Sequence, residues 1–410
     1  MRADHISRVI FDYAGRIGNV HETGAFLRLN ADMARDLVGA DRCSIWLIDS
    51  KSQELWTTVA HGVPELRIPM GHGLVGACIY EGVSIVVNDT ARDARFLNTA
   101  PRSGYETKSV LVIPLRSSDE KVIGALQALN KPGGFLDEDV ELLGLAATYA
   151  ANALETQRLR NEAVAARLVQ KELEIAANVQ RRLFPQRLPE LVELDCAAFC
   201  RPARWVGGDY YDFIPMPDGG LMATLGDVSG KGVAAAVLMA SIQSSIRTQA
   251  MHPQTSLARM MEGFNKAVYS FSTADKYSTL FLARFDASMR TMKYVNAGQC
   301  APMVLRASDG TVRSLSSSGM PVGLIPVVAY QEGEVTLAPG DVVLACSDGV
   351  SEAMNPEEDI WDEKHVEQIL RENADSPAAE IIERLVAAVD EFAAGAEQSD
   401  DITITVVKVL

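Results

Sequence analysis

Residues 221–232 read Leu-Met-Ala-Thr-Leu-Gly-Asp-Val-Ser-Gly-Lys-Gly, and this stretch is the strongest indication of the fold of the C-terminal half of the chain. Its apolar first part is typical of a buried strand, which ends at Asp227 in a glycine-rich turn. A helical pattern follows from Val233 to about Ala250. A strand that ends in this way places its carboxylate at the rim of a sheet, where the oxygens can reach a cation or a substrate.

Three further aspartates stand at the ends of strand patterns in the same half. They are Asp348, after the apolar run 342–346, Asp209, before residues 210–214, and Asp400, before the alternating residues 402–407. In an antiparallel sheet the start of one strand lies beside the end of its neighbour, so we expect all four carboxylates to meet on one edge. Four carboxylates without His or Cys companions favour Mg²⁺ or Mn²⁺ over Zn²⁺.

Composition limits the classes of protein. The chain has 410 residues, of which 48% are hydrophobic and 22% charged, and its formal net charge is −16. The length predicts two or three domains. The acidic charge argues against nucleic acid and anionic membrane as partners. Because no signal sequence or membrane span is readable, we expect a cytoplasmic protein whose six cysteines are reduced.

The N-terminal third resembles a GAF domain. The resemblance rests on Gly71-His72-Gly73-Leu74-Val75-Gly76 and on residues 82–89, 109–115 and 122–131, and it covers about residues 15–155. It implies a six-stranded antiparallel sheet, helices on one face, and a pocket for a small molecule on the other. The same glycines match the dinucleotide fingerprint by letter, but no parallel strand-helix-strand unit surrounds them.

The ligand of this domain stays open. Cyclic-nucleotide GAF domains carry an Asn-Lys, Phe, Asp-Glu signature, and Asn130-Lys131, Phe135 and Asp137-Glu138 match it in kind. Only one residue separates the phenylalanine from this acidic pair, where the signature has three. A cyclic nucleotide is therefore one candidate among small molecules.

A long helix is predicted from Asp137 to about Phe184. Two heptad seams follow it, which are Val140, Ala147, Leu154, Asn161, Leu168 and Ile175, and Leu143, Ala150, Gln157, Val164 and Lys171. These seams favour a two-stranded coiled coil, and hence a homodimer, over a single solvated connector.

The C-terminal half resembles the metal-dependent (PPM-type) protein serine/threonine phosphatases, in the branch of bacterial stage II sporulation E-like regulators. The matching motifs are residues 174–180, 206–213, 226–232, 296–298, 319–324, 347–352 and 400–403. The resemblance implies an α-β-β-α sandwich of two antiparallel sheets between helix pairs, with two Mn²⁺ or Mg²⁺ ions at one end.

The resemblance also implies a role for each ligand. Asp227 corresponds to the catalytic aspartate that bridges both ions, and the backbone carbonyl of Val228 to a main-chain ligand. Asp348, also catalytic, and Asp400 correspond to ligands of the first ion, and Asp209 to the acid beside the second.

Two other acids and two substitutions complete the expectation. Asp212 and Asp401 are expected to lie behind the ligands or to face solvent. Ser229 and Gln299 stand where relatives often have histidine, so the role of that histidine is not carried over to this chain.

The sequence therefore predicts an α+β protein of three parts: a GAF sensor (1–150), a helical linker and switch (151–185) and a phosphatase domain (186–410). By resemblance, its substrate is a phosphoserine or phosphothreonine of a STAS-type anti-anti-sigma protein, and segment 174–183 is the switch. One rival hypothesis is a catalytically weak, dimeric GAF interaction protein. Another is a nucleotide cyclase, which would need a purine site and a basic triphosphate site that we do not find.

Overall fold

The computed structural model describes residues 8–9, 11–13, 15–16, 20, 23–49, 51–57, 66–97, 105–252, 254–273 and 276–410. The sequence pattern also predicts helix over residues 1 to about 38, and most of its part before Thr23 lies outside these ranges. The chain divides into two compact units, Met1–Arg167 and Leu168–Leu410. Among the described residues, no helix combines the length and apolar character that crossing a membrane requires.

The first unit is built on one antiparallel sheet of six strands in the order β3-β2-β1-β6-β5-β4. Its elements are α1 (Thr23–Val38), β1 (Arg42–Asp49), β2 (Glu54–Thr57), β3 (Leu66–Pro69), α2 (Gly73–Glu81), β4 (Ile85–Val87), β5 (Val110–Arg116), β6 (Val122–Leu129) and α3 (Asp137–Arg181). One face of the sheet packs on α1 and the first half of α3, and the other packs on α2. The predicted six-stranded GAF sheet is confirmed.

The Asn-Lys signature has an internal structural role. Lys131 forms an ion pair with Asp139, which is almost fully buried. Asp139 also accepts a hydrogen bond from the backbone of Leu136 at 2.9 Å, which fixes the start of α3. The acid that pairs with Lys131 is Asp139, which follows directly on the Asp137-Glu138 pair of the signature match.

Helix α3 has 45 residues, close to the predicted length. Its first half is buried through Leu143, Ala147 and Ala150, because it covers the GAF sheet. Further along, Leu168 and Ile175 of the predicted seam are 59% and 63% exposed. The coiled coil and the three domain boundaries stay predictions.

The second unit is a four-layered sandwich. Its strands are β7 (Leu194–Arg201), β8 (Tyr210–Pro215), β9 (Leu221–Val228), β10 (Ser278–Phe285), β11 (Thr291–Ala297), β12 (Met303–Leu305), β13 (Val312–Ser314), β14 (Gly333–Thr336), β15 (Val342–Cys346) and β16 (Ile402–Val409). Its helices are α4 (Val233–Ala250), α5 (Leu257–Phe271), α6 (Asp348–Ser351), α7 (Glu363–Glu372) and α8 (Ala378–Ala393). The two antiparallel sheets have the orders β14-β11-β10-β9-β8 and β13-β12-β15-β16-β7.

Three apolar cores hold these layers together. The inner faces of the two sheets pack on each other, α4 and α5 cover the outside of the first sheet, and α7 and α8 cover the outside of the second. The α-β-β-α arrangement expected from the resemblance is confirmed. The sequence pattern agrees with this arrangement, because β9 and β15 are buried on both faces and consist of continuous apolar runs.

Pairing within each sheet brings the acidic strand ends together in twos. Strand β8 pairs with β9 so that Tyr210 lies opposite Gly226, which makes Asp209 and Asp227 neighbours at one end of the first sheet. Strand β15 pairs with β16 so that Cys346 lies opposite Ile404. Asp348 follows β15 and Asp400 precedes β16, so both acids lie at this end of the second sheet. The expectation of a single sheet edge is wrong, because two sheets each contribute two aspartates.

Candidate metal centre

The carboxylate of Asp209 is the most deeply buried of the four. It is 2% exposed, and its Oδ2 has no hydrogen-bond partner in the described part of the chain. Burial raises the pKa of Asp209 well above its usual value, and the charge of Asp227 raises it further. A buried acceptor without a donor is costly, so this oxygen is placed as a ligand for a cation would be.

Asp227 lies at the electrostatic centre of the group. Burial raises its pKa to about 7, and the charges of Asp348, Asp400 and Asp401 act in the same direction. A side-chain hydrogen bond with Asp209 lowers it. Carboxylates from both sheets therefore act on Asp227, and their mutual repulsion favours the binding of positive charge.

Asp348 shares this environment. Burial raises its pKa, as do the charges of Asp400 and Glu352, whereas the nearby Lys231 lowers it. Lys231 Nζ lies 3.0 Å from Asp400 Oδ2 and also contacts the carbonyl of Ser399. A cation bound at that oxygen of Asp400 would have to displace the Lys231 ammonium.

The predicted ligands interact without forming a finished coordination shell. Within the described ranges, no group of three or more His, Cys, Asp or Glu side chains is placed so that it could hold a metal ion. The fifth predicted ligand, the carbonyl of Val228, lies beside Gly208, where an added Cβ would come within 2.6 Å of it. The role of each ligand therefore stays a proposal.

The turn that carries Asp209 is held by Asp401. Asp401 Oδ2 accepts hydrogen bonds from the backbone of Gly208 at 2.7 Å and of Asp209 at 3.4 Å, and its Oδ1 accepts from Ala203 at 2.8 Å. A Cβ on Gly207 would lie 2.2 Å from Asp401 Oδ2, so the turn requires glycine there. Asp401 is buried, which excludes the solvent-facing alternative and gives this acid a supporting role.

Asp212 is also buried and supports the next strand. Arg247 of α4 donates to both of its oxygens, at 2.7 and 3.0 Å, and the hydroxyl of Tyr210 donates at 2.6 Å. This network ties α4 to β8 immediately after Asp209. The sequence did not identify Arg247, since an arginine on an exposed helix face has no distinguishing pattern.

The C-terminal end of α3 contacts the same turn through Gln180. Its side-chain amide donates to the carbonyl of Gly207 at 2.7 Å and accepts from the backbone N–H of Gly207 at 3.1 Å. Gln180 is only 6% exposed. Nearby, the ring of Phe184 stacks on Tyr211 at 5.1 Å between centroids. Helix α3 thus ends in a direct contact with the backbone that precedes Asp209.

Ser229, which stands where relatives often have histidine, holds the turn after Asp227 through hydrogen bonds. Its hydroxyl accepts a hydrogen bond from the backbone of Tyr277 at 3.0 Å, and its carbonyl accepts one from Lys276 at 3.2 Å. These contacts hold the loop after Asp227 against the start of β10.

The chemistry of the predicted ligands, though not yet their placement, suits hard divalent cations. The set consists of carboxylate and carbonyl oxygens, one of which is a buried acceptor without a partner, and the acids raise one another's pKa. Among the described residues, Lys231 compensates part of this negative charge through Asp400 and Asp348. Mn²⁺ or Mg²⁺ bound between the two sheet ends would neutralise it.

Comparison with known families gives the class of both units. The GAF domain model matches residues 22–154, and the model of the stage II sporulation protein E (SpoIIE) family matches residues 217–410. The chain thus carries a GAF domain followed by a domain of the stage II sporulation protein E type over residues 217–410.

Individual relatives share this arrangement in part. Protein IcfG of Synechocystis sp. is 28% identical over 308 residues, which cover 68% of this chain and 48% of that protein. Phosphoserine phosphatase RsbU of Bacillus subtilis is 27% identical over 220 residues, which cover 53% of this chain and 64% of RsbU. The chain thus spans about half to two thirds of the length of these relatives.

A solved structure shows the same fold. The SiaA-PP2C domain of Pseudomonas aeruginosa superposes with a TM-score of 0.53 at 23% identity, covering 60% of this chain and 99% of that domain. At this identity the likeness establishes the architecture of the C-terminal unit and not its substrate.

Proposed function

We propose that the C-terminal domain is a metal-dependent protein serine/threonine phosphatase. It rests on the buried Asp209, whose Oδ2 has no hydrogen-bond partner in the described part of the chain and which lies beside Asp227 at the end of the first sheet. Burial and neighbouring carboxylates raise the pKa values of Asp209, Asp227 and Asp348. Natural sites accumulate uncompensated negative charge where a cation offsets it. The similarity to a protein named phosphoserine phosphatase supports the reaction class.

In this proposal Asp209, Asp227, Asp348, Asp400 and the carbonyl of Val228 hold two divalent ions. Bound ions of this kind supply a hydroxide at neutral pH and neutralise the phosphate oxygens during in-line displacement. The protein holds the acids in place from behind. The strands fix Asp227 and Asp348, while Asp401 fixes the turn that carries Asp209.

A thiol nucleophile is disfavoured in the same region. Burial raises the pKa of Cys200 to about 12 and that of Cys300 to about 11, and it raises the pKa of Cys346 as well. These thiols stay protonated at neutral pH, whereas a cysteine phosphatase needs a thiolate. This contrast favours metal-assisted hydrolysis over covalent catalysis.

The substrate we propose is a phosphoserine or phosphothreonine on a STAS-type partner protein. Two relatives, RsbU and RsbP of Bacillus subtilis, are named phosphoserine phosphatases. Asp227, Asp348 and Asp400 are partly exposed at the strand ends, which suits a side chain presented by a folded protein. In this proposal Lys231, which is partly exposed beside Asp400, contacts the entering phosphate.

We further propose that the GAF domain regulates this site through α3. The buried Gln180 pairs with both backbone groups of Gly207, two residues before Asp209, so a shift of the segment 174–183 would release the turn. A two-state element of this kind needs a bias of only a few kcal/mol. The exposed apolar residues Val164, Leu168 and Ile175 support a homodimer through α3 as one source of that bias.

The decisive experiment measures phosphate release from a phosphoserine-bearing STAS protein and from para-nitrophenyl phosphate, with Mn²⁺ and with EDTA. Wild type should hydrolyse both only with Mn²⁺. Asp227→Asn and Asp348→Asn should each lose more than about 100-fold in rate, because each removes a ligand charge. Asp375→Asn, at an exposed position of the same unit, is the matched control.

Absence of Mn²⁺-dependent hydrolysis in wild type would reject the phosphatase proposal and favour the non-catalytic interaction protein. Retained activity in Asp227→Asn would reject the assignment of the site. Hydrolysis of para-nitrophenyl phosphate alone would reject the STAS substrate and leave the chemistry intact.

A further inference from the structure

Gln299 lies in a turn whose backbone is held on both sides. It follows β11, and Gly298 before it adopts φ +78°, a conformation that glycine accepts readily. The side chain of Asn296 accepts from the backbone N–H of Gln299 at 2.8 Å and donates to its carbonyl at 3.1 Å. This clamp fixes the backbone of Gln299 and leaves its side chain to reach elsewhere.

The side chain of Gln299 is 5% exposed and forms hydrogen bonds to residues of two strands, β10 and β15. Its Nε2 donates to the carbonyl of Cys346 at 3.1 Å, and its Oε1 accepts from the hydroxyl of Thr279 at 2.5 Å. Because a carbonyl can only accept, the amide nitrogen must face Cys346. The hydroxyl of Thr279 must then donate to Oε1, which leaves its own lone pairs for another donor.

That other donor is Asp227. Its backbone N–H donates to Thr279 Oγ1 at 3.3 Å, and the two residues lie directly opposite each other in β9 and β10. The chain of hydrogen bonds therefore runs from the backbone of Asp227 through Thr279 and Gln299 to the carbonyl of Cys346. Asp348 follows Cys346 by two residues.

This chain crosses between the two sheets. Asp227 and Thr279 belong to the first sheet and Cys346 to the second. Backbone ladders fix the spacing of strands within a sheet, but no ladder fixes the spacing between packed sheets. A buried amide that bonds to both sheets at the site end supplies such a constraint.

We infer that Gln299 is a positioning residue that sets the separation between the strand ends carrying Asp227 and Asp348, and with it the affinity of the site for divalent ions. The inference rests on the proposed function only in taking these two acids as metal ligands. Thr279 is the second member of this strut, which we define as the side chains of Gln299 and Thr279.

The test is a titration of the full chain with Mn²⁺, following free Mn²⁺ by electron paramagnetic resonance, so that no turnover is required. Gln299→Leu keeps the approximate size and removes both hydrogen bonds, and it should weaken Mn²⁺ binding about 10-fold or more. Thr279→Val removes the other member and should weaken binding comparably. The double variant should lose little beyond either single one, because both break the same chain.

Two further variants distinguish a specific effect of the strut on Mn²⁺ affinity from a general loss of packing in the core. Gln299→His should recover most of the affinity, because a neutral imidazole also offers one donor and one acceptor. Thr224→Val is the matched control, since Thr224 is a buried threonine of β9 that donates to the carbonyl of Phe281 at 2.9 Å, away from the strut. It should bind Mn²⁺ as wild type does.

Wild-type Mn²⁺ affinity in Thr279→Val and in a folded Gln299→Leu would overturn the inference, and so would an equal loss in Thr224→Val. Should Gln299→Leu fail to fold, Thr279→Val decides the matter alone. A wild type that binds Mn²⁺ but hydrolyses no phosphoester would defeat the proposed function and leave the strut standing.

Discussion

Replacing Asp227 with asparagine should make the metal-free protein more stable. The carboxylate is ionised at neutral pH in the unfolded chain, but burial and the charges of Asp348 and Asp400 oppose its ionisation in the folded one. An asparagine side chain at this position keeps the shape of the aspartate and removes its charge. Asp227→Asn therefore relieves a repulsion that bound cations would offset in the proposed metal centre.

The size of the effect follows from the pKa of Asp227, which is raised from 3.8 to about 7. A shift of about three pKa units corresponds to about 4 kcal/mol in the free energy of unfolding, as an upper bound. Because the folded pKa exceeds the unfolded one, burying Asp227 costs no stability below pH 4, where the carboxyl is protonated in both states. The stability present there is lost as the pH rises to 7. Asp209 and Asp348 shift in the same direction.

Urea unfolding of the full chain in EDTA, at pH 5 and pH 8, measures the difference. The transition of the C-terminal unit should move to higher urea in Asp227→Asn at pH 8, and the gain should be much smaller at pH 5. Added Mn²⁺ should stabilise wild type by about 3 kcal/mol at 100 times its Kd and the variant far less. No gain at pH 8, or the same gain at both pH values, would refute this electrostatic account.

Three other substitutions test the groups that support the site. Gln180→Leu should weaken Mn²⁺ binding about 10-fold in titrations, because it removes both hydrogen bonds to Gly207. Gln170→Leu, on an exposed part of α3, is the control and should bind Mn²⁺ as wild type does. Equal Mn²⁺ affinities of the two variants would exclude the contact with Gly207 as the coupling element. Asp401→Ala leaves three backbone N–H groups without their acceptor and should cost about 3 kcal/mol in urea unfolding; a neutral change would contradict its role. Arg247→Met removes both guanidinium hydrogen bonds to the buried Asp212, which keeps those from the hydroxyl of Tyr210 and the backbone N–H of Phe213, and it should cost about 3 kcal/mol in urea unfolding.

Much of the fold was predictable because its signals are local. Apolar runs marked β9 and β15, and the helical pattern from Val233 to Ala250 matches α4 residue for residue. Strand β7 was not predicted, since its mixed residues acquire their strand character only by pairing with β16. The division of the acids between two sheets also depends on pairing that no local pattern encodes.

The supporting residues were harder to find for the same reason. Asp401 and Gln180 are separated from Gly207 by 194 and 27 residues, counted from their numbers, yet both bind the turn that it opens. Gln299 could be recognised only as a departure from histidine. Its role depends on distances to Thr279 and Cys346, which lie on different sheets.

In the metal centre that we propose, carboxylates from two sheets hold a pair of divalent ions. Anomalous diffraction from crystals of the protein soaked in Mn²⁺ tests this directly. Two manganese peaks are expected, both in contact with Asp227, one also near Asp348 and Asp400 and the other near Asp209. Absence of ions between these strand ends, or manganese bound only elsewhere on the protein, would contradict it.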